Sequence, residues 1–267
     1  MFNIICASLF KLFKDWTFRI TMIIGVGLAG LLIGINAGIG SLDGQTMFLS
    51  AISPSQNFGL TVPINLVVFT VSEFTFGTIR NKIIAGHSKF KVYTGLFLTG
   101  LVFTFVLMSI YFLVIVGLAS AIGGFNAASI GGARFIGSFI GYFFATYIFV
   151  TSLSIFVGTL MRNIGPSISL TVVSLVIVGM LPLIIALTQS GSFTAENISI
   201  WFNPLYMLGL YGNASSIIQL LQNVGADTSS FFNQSGAMIA SGIIVPLYWT
   251  VIFFFLGAYL FTHRDIK

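Results

Sequence analysis

The sequence predicts an all-α, polytopic membrane protein with six transmembrane helices, and three observations support this fold class. Only 6% of the 267 residues are charged and 57% are hydrophobic, whereas soluble domains carry about 25% charged residues. The apolar runs are continuous over about 20 residues, the length that a helix needs to cross a bilayer. A membrane β-barrel would instead show alternating segments of about 10 residues.

Residues 1–18 predict an amphipathic helix before the first span. Phe2, Ile5, Leu9 and Leu12 recur at spacings of three and four, and polar residues lie between them. Such a helix can lie in the membrane interface, with Trp16 at the depth of the lipid headgroups. The alternative is a soluble lead-in to the first span.

The rest of residues 1–267 is interpreted as a single transmembrane domain. The six spans are expected at about 20–40, 60–78, 92–119, 135–160, 167–188 and 236–261. Residues 189–234 are polar apart from two apolar pieces that are too short to span, WFNPLYMLGLYG and SSIIQLLQNVG. We expect these pieces to form short re-entrant helices on the outer side, between spans five and six.

The positions of the basic residues predict the orientation. Six spans place both termini on one side, and a cytoplasmic N-terminus puts all of the eleven Lys and Arg residues except Arg134 on the cytoplasmic side. The net charge of +5 comes from residues at the ends of apolar runs, where they contact lipid headgroups. Membrane lipids are therefore expected partners, and nucleic acid is not.

No catalytic or metal-binding pattern is visible in the sequence. His87 and His263 are far apart, and no neighbouring Cys or acid pair indicates a metal site. The GxxxxGK[ST] phosphate-binding loop is also missing, so we expect no enzymatic activity and no cofactor on this chain. Glu73 is the sole acid inside an apolar run and lies near its cytoplasmic end, which leaves little for an ion-coupled mechanism.

A basic stretch, residues 73–91, separates the second and third spans with the sequence EFTFGTIRNKIIAGHSKFK. It predicts a short helix over Ile79–Ala85 that Thr78 caps and Gly86 ends. Ile79, Ile83 and Ile84 would give this helix an apolar side.

The same stretch offers hydrogen-bond donors to a partner through Arg80, Asn81 and Lys82. The Glu73 carboxylate is expected at the bend, paired with Arg80 or Lys82 or accepting backbone N–H groups. The alternative is a loop that only sets topology and holds a structural salt bridge.

This stretch resembles the segment after the second span of type-2 ABC exporter permeases. The resemblance rests on Glu73, Gly77, Thr78, Arg80, Asn81, Lys82, Gly86, Ser88 and Lys89. The layout of an amphipathic N-terminal helix, six spans, short outer helices and a basic C-terminal tail is also similar. In that family the segment forms a short helix that seats in a cleft of a separate nucleotide-binding subunit.

The resemblance implies the permease subunit of an ATP-driven exporter in a bacterial plasma membrane. ATP and Mg would bind to a partner ATPase, and a second permease copy or a paralogue would complete the pathway. The substrate would be amphipathic or apolar, such as a peptide, a bacteriocin, a drug or a lipid-like molecule. Two alternatives stay open: a membrane anchor or assembly protein that recruits a cytoplasmic partner, and an ion-coupled secondary transporter.

Gly30, Gly34 and Gly38 form a GxxxGxxxG stripe on one face of the first span. Stripes of this kind permit close contact between helix backbones. The stripe predicts either packing within the chain or a face for dimerisation.

Overall fold

The computed structural model describes residues 2–14, 16–38, 61–124, 132–188 and 228–264, and all regular structure in these ranges is α-helical. The helices are α1 Phe2–Lys14, α2 Trp16–Gly38, α3 Thr61–Thr75, α4 Thr78–Ile84, α5 Lys89–Gly123, α6 Gly132–Met161, α7 Ile164–Thr188 and α8 Thr228–His263. The all-α prediction is therefore confirmed for the described part of the chain.

Within the described residues, three helices contain segments that are long and apolar enough to span a membrane. These segments are Lys89–Ile122, Phe144–Met161 and Pro246–His263, and the bent pair of α3 and α4 would make a fourth. The described part of α7 contributes a shorter apolar segment, Ile164–Val176. The number of six spans stays a prediction.

The first and the last helix differ from the expected segments. The first helix ends at Lys14 rather than near residue 18, and Trp16 already belongs to α2. The last helix begins at Thr228, so residues 228–234 are helical although they were expected in the polar outer region. The rest of the polar outer region, residues 189–227, lies outside the described residues. It includes the two pieces that are expected to form short re-entrant helices.

The second half of α6 lies at the centre of the helix bundle. Most of Phe144–Met161 is buried, whereas most of the spanning segments of α5 and α8 is not. Hydroxyl groups join α6 to its neighbours: Thr104 and Thr151 lie 2.9 Å apart between α5 and α6, and Ser152 donates to the Thr250 carbonyl of α8 at 3.1 Å. Such bonds hold helices together where no water competes for them.

Two glycines let helices approach α6 and α5 closely. A Cβ at Gly158 on α6 would lie 2.9 Å from Cβ of Thr70 on α3. A Cβ at Gly257 on α8 would overlap the hydroxyl of Tyr93, a fully buried residue of α5. Both positions exclude a side chain because real Cβ atoms do not approach other atoms so closely.

The glycines of the α2 stripe have different surroundings. A Cβ at Gly30 or Gly34 would meet nothing within 4 Å in the described part of the chain. The packing of Gly38 lies outside what the structure describes. Among the described residues, Gly30 and Gly34 therefore do not pack closely against another helix of this chain. The dimer face stays a prediction.

Candidate functional site

The candidate site begins at a sharp bend between α3 and α4. The two helices meet at an angle of 57°, and Gly77 between them has φ 67° and ψ 10°. This left-handed conformation is unfavourable for residues with a Cβ. The chain can bend here because the residue before α4 is Gly77, which has no Cβ.

Helix α4 lies between two glycines, Gly77 directly before its first residue and Gly86 two residues after its last. Gly77 is its N-cap and makes no side-chain capping bond, so the prediction that Thr78 caps this helix was wrong. At the other end Gly86 has φ 89°, its N–H bonds to the Ile83 carbonyl, and the next N–H bonds to the Lys82 carbonyl. This pair of bonds is a Schellman motif, which confirms that Gly86 ends the helix.

The Glu73 carboxylate is the centre of the site. Its side chain is 1% exposed, and its two oxygens accept from Lys11 Nζ at 2.7 Å and from Lys82 Nζ at 2.6 Å. Thr78 Oγ1 lies 2.8 Å from the Glu73 carbonyl and 2.9 Å from Oε2. A buried carboxylate needs such partners because an unpaired charge away from water is very costly.

The N-terminal helix takes part in the same cluster. Lys11 belongs to α1, and Ser8 of α1 accepts a second bond from Lys82 Nζ at 3.1 Å. We call Ser8, Lys11, Glu73, Thr78 and Lys82 the carboxylate cluster. It joins α1, α3 and α4, so these three helices are held at one point.

The sequence predicted part of this cluster. The pairing of Glu73 with Lys82 is confirmed, whereas the other partner is Lys11 and not Arg80. Lys11 lies 62 residues before Glu73, and no local spacing connects them. A buried acid near the end of a span needs more than one cation, and that need was the available signal for a lysine on the amphipathic helix.

The opposite side of α4 faces outward. Ile79 is buried and Ile83 packs against the same apolar cluster, whereas Arg80 and Asn81 are exposed. Ile84 is 72% exposed and Phe76 before the helix is 68% exposed, so the prediction that Ile84 lies on one apolar side with Ile79 and Ile83 was wrong. We call Phe76, Arg80, Asn81 and Ile84 the outer face of α4; it combines two apolar side chains with two polar ones.

A second group of cations lies where α5 begins and where α6 and α8 end. Lys89 Nζ donates to the carbonyls of Thr262 at 3.1 Å and Arg264 at 3.0 Å. Arg264 Nη1 donates to the Leu160 carbonyl at 2.5 Å. Cations at these positions are favourable because the last carbonyls of a helix have no partner within it.

The ends of α6 and α8 enclose a cavity of about 570 Å³. It is lined by Phe156, Thr159, Leu160, Arg162, Gly257, Leu260, Phe261, His263 and Arg264, and we call it the arginine cleft. Arg162 has φ 57°, and its guanidinium lies 5.3 Å from the centroid of the Phe74 ring. Burial lowers the pKa of Arg162, and the charge of the nearby Arg264 lowers it further.

The described residues contain no group of three or more His, Cys, Asp or Glu that could hold a metal ion. The carboxylate cluster offers charge pairing, and the outer face of α4 offers surface contacts. Comparisons of the chain with family models, with curated proteins and with solved structures find no match.

Proposed function

We propose that the chain is the permease subunit of an ATP-driven exporter and that α4 receives force from a separate ATPase. The observation that carries the proposal is the construction of α4. One side of this short helix is fixed to α1 and α3 through the carboxylate cluster, and the outer face exposes Phe76, Arg80, Asn81 and Ile84. A helix that is held on one side and open on the other can transmit the movement of a partner.

The apolar part of the outer face supports a protein partner. Large exposed apolar side chains next to an Arg are typical of the centre of protein–protein interfaces. The 57° bend directs α4 away from the axis of α3, and the preceding Gly77 permits this direction. The movement of a bound ATPase would then pass through Glu73 to the end of α3.

The full proposal has six spans, with both termini in the cytoplasm of a bacterial cell. The basic residues at the start of α5, between α6 and α7 and at the end of α8 fit the cytoplasmic boundary of a membrane. ATP and Mg would bind to the ATPase, and a second permease copy or a paralogue would complete the path. The cargo would be amphipathic or apolar: a peptide, a bacteriocin, a drug or a lipid-like molecule.

A membrane anchor that recruits a cytoplasmic partner is a second candidate, because the same outer face could bind a partner without an ATPase. An ion-coupled transporter has less support. Glu73 already pairs with two lysines and Thr78, so its carboxylate is poorly placed to bind and release a proton or a sodium ion.

The proposal is tested by cross-linking at the outer face in native membranes. The single cysteine, Cys6, is exposed and is first changed to serine. A photoreactive maleimide is then attached to Asn81→Cys, with Lys91→Cys as a matched control, because Lys91 is exposed two residues inside α5. We expect a protein that hydrolyses ATP to be cross-linked from position 81 and much less from position 91.

The identity of the cross-linked protein separates the candidates. A partner whose ATPase activity this chain stimulates supports the exporter, and a partner without nucleotide hydrolysis supports the anchor. Adducts with lipid alone at position 81 would contradict both. Cargo uptake by vesicles that contain only this chain and an ion gradient would favour an ion-coupled transporter.

A further inference from the structure

The arginine cleft is a feature of the structure that the coupling proposal does not use. Its lining contains Arg162, His263 and Arg264, and none of the lining residues in the described part of the chain is acidic. The remaining walls are mostly apolar, with Phe156, Leu160, Leu260 and Phe261 among them. A cavity with apolar walls and a basic rim fits a ligand that has an anionic head and a hydrocarbon body.

The position of the cleft indicates where such a ligand would come from. Two of the spanning segments end at Met161 and His263, and both ends border the cleft. The Lys89 bonds to the Thr262 and Arg264 carbonyls place the start of α5 at the same level. This level is the boundary between apolar helix and basic segment, which is where phospholipid headgroups lie.

We propose that the arginine cleft binds an anionic phospholipid of the cytoplasmic leaflet. The phosphodiester lies between Arg162 and Arg264, and an acyl chain lies against the apolar wall of α6 and α8. Guanidinium groups suit this role because their planar N–H groups bind phosphate oxygens in pairs. Basic pockets between transmembrane helices on the cytoplasmic side are a known form of lipid recognition.

The packing around the cleft supports a built site rather than a random surface. Arg264 reaches from the end of α8 to the Leu160 carbonyl of α6, so its guanidinium lies across the cleft. Arg162 is placed by a left-handed turn between α6 and α7 and lies over the Phe74 ring. The turn and the ring fix the arginine before any lipid arrives, which lowers the entropic cost of binding.

The test measures lipid binding to the detergent-purified full chain by native mass spectrometry. Phosphatidylglycerol and phosphatidylcholine with identical acyl chains are titrated separately, because they share the phosphate and differ in net charge. We expect binding of phosphatidylglycerol to the wild type to be about tenfold tighter than that of phosphatidylcholine, because the two arginines repel the choline cation.

Two variants locate the site. Arg162→Asn removes the charge with a residue that tolerates the left-handed backbone, and Arg264→Gln removes the second guanidinium. Each is expected to abolish the preference for phosphatidylglycerol, whereas Lys91→Gln, which removes an exposed lysine outside the cleft, keeps it. Arg264→Lys retains the charge and should restore part of the preference.

Three results would overturn the proposal. The first is an unchanged preference in both Arg162→Asn and Arg264→Gln, in variants whose thermal unfolding shows that they are folded. The second is full competition by soluble glycerol phosphate, which would make the cleft a site for a soluble phosphate. The third is binding that begins only when residues 265–267 are deleted, which would mean that the end of the chain occupies the cleft.

Discussion

The carboxylate cluster and the arginine cleft are both built from cations at the ends of spanning helices, yet they differ in what the cations face. In the cluster, Lys11 and Lys82 converge on the buried Glu73 carboxylate. In the cleft, Arg162 and Arg264 border an open cavity whose described lining residues are basic, apolar or uncharged. The first arrangement is complete within the chain, and the second has room for an anion from outside.

This difference assigns different roles to similar residues. A buried carboxylate with two lysines is a structural connection, because removing one member leaves the others buried without their charge partner. Cations beside a cavity contribute less to folding and more to recognition. Removing a charge from the carboxylate cluster should therefore lower the stability of the protein. Removing a charge from the arginine cleft should lower ligand binding.

The largest effect is expected for Glu73→Gln. Lys82 is only 17% exposed and would lose its charge partner, while Lys11 at 38% exposed keeps part of its hydration. We expect the free energy of unfolding to fall by about 3 kcal/mol, the low end for breaking a buried ion pair. Thermal unfolding of the purified chain in detergent measures this loss.

A double variant makes the same prediction sharper. Glu73→Leu combined with Lys82→Met removes the carboxylate together with its less exposed lysine, so its loss should be smaller than that of Glu73→Leu alone. Lys91→Gln is the matched control and should unfold like the wild type. Lys82→Met alone completes the cycle, and a loss in the double variant equal to the sum of the two single losses would show that the charges of the cluster are not coupled.

A smaller effect is expected for Gly77→Ala at the bend. A Cβ at Gly77 would meet none of the described residues within 4 Å, so the expected cost is that of the left-handed backbone, about 1 kcal/mol. Gly77→Asn should cost less, because Asn tolerates this conformation. Equal unfolding temperatures for the wild type and both variants would contradict the left-handed geometry of the bend.

The smallest effect on stability is expected for Arg162→Asn in the cleft. The variant keeps the left-handed turn and loses the contact with the Phe74 ring, which is worth about 1 kcal/mol or less. Thermal unfolding should therefore change much less than in Glu73→Gln, although lipid binding falls. A loss as large as that of Glu73→Gln would mean that the cleft is a structural centre and would remove the contrast between the two regions.

The sequence predicted the features that depend on local chemistry. The helices follow from continuous apolar runs, and the end of α4 follows from Gly86. Lys82 was one of the partners expected for Glu73 at the bend, beside Arg80 and backbone N–H groups. The contact between Glu73 and Lys11 depends on how α1 packs beside α3, and the arginine cleft depends on how α6 packs beside α8. Relative helix positions are set by tertiary packing, which the local pattern does not contain.

The structure also changes which residues can test the coupling proposal. Arg80, Asn81 and Lys82 looked equivalent in the sequence, but Lys82 is bound to Glu73 and Ser8, whereas Arg80 and Asn81 are exposed. Reversing Lys82 would damage the carboxylate cluster itself. Arg80 is the residue that can be reversed without breaking a described ion pair.

The most direct measurement is the ATP hydrolysis rate of the partner ATPase with this chain in lipid nanodiscs, compared for wild type, Arg80→Glu and Lys91→Glu. We expect Arg80→Glu to lower the stimulated rate about tenfold, because a repelled charge at an interface costs more than 1.4 kcal/mol. Lys91→Glu should leave the rate unchanged. The opposite result would be an Arg80→Glu variant that stimulates ATP hydrolysis as strongly as the wild type, together with Phe76→Ser and Ile84→Ser variants that leave the rate unchanged. That result would contradict the role of α4 as the helix that receives force.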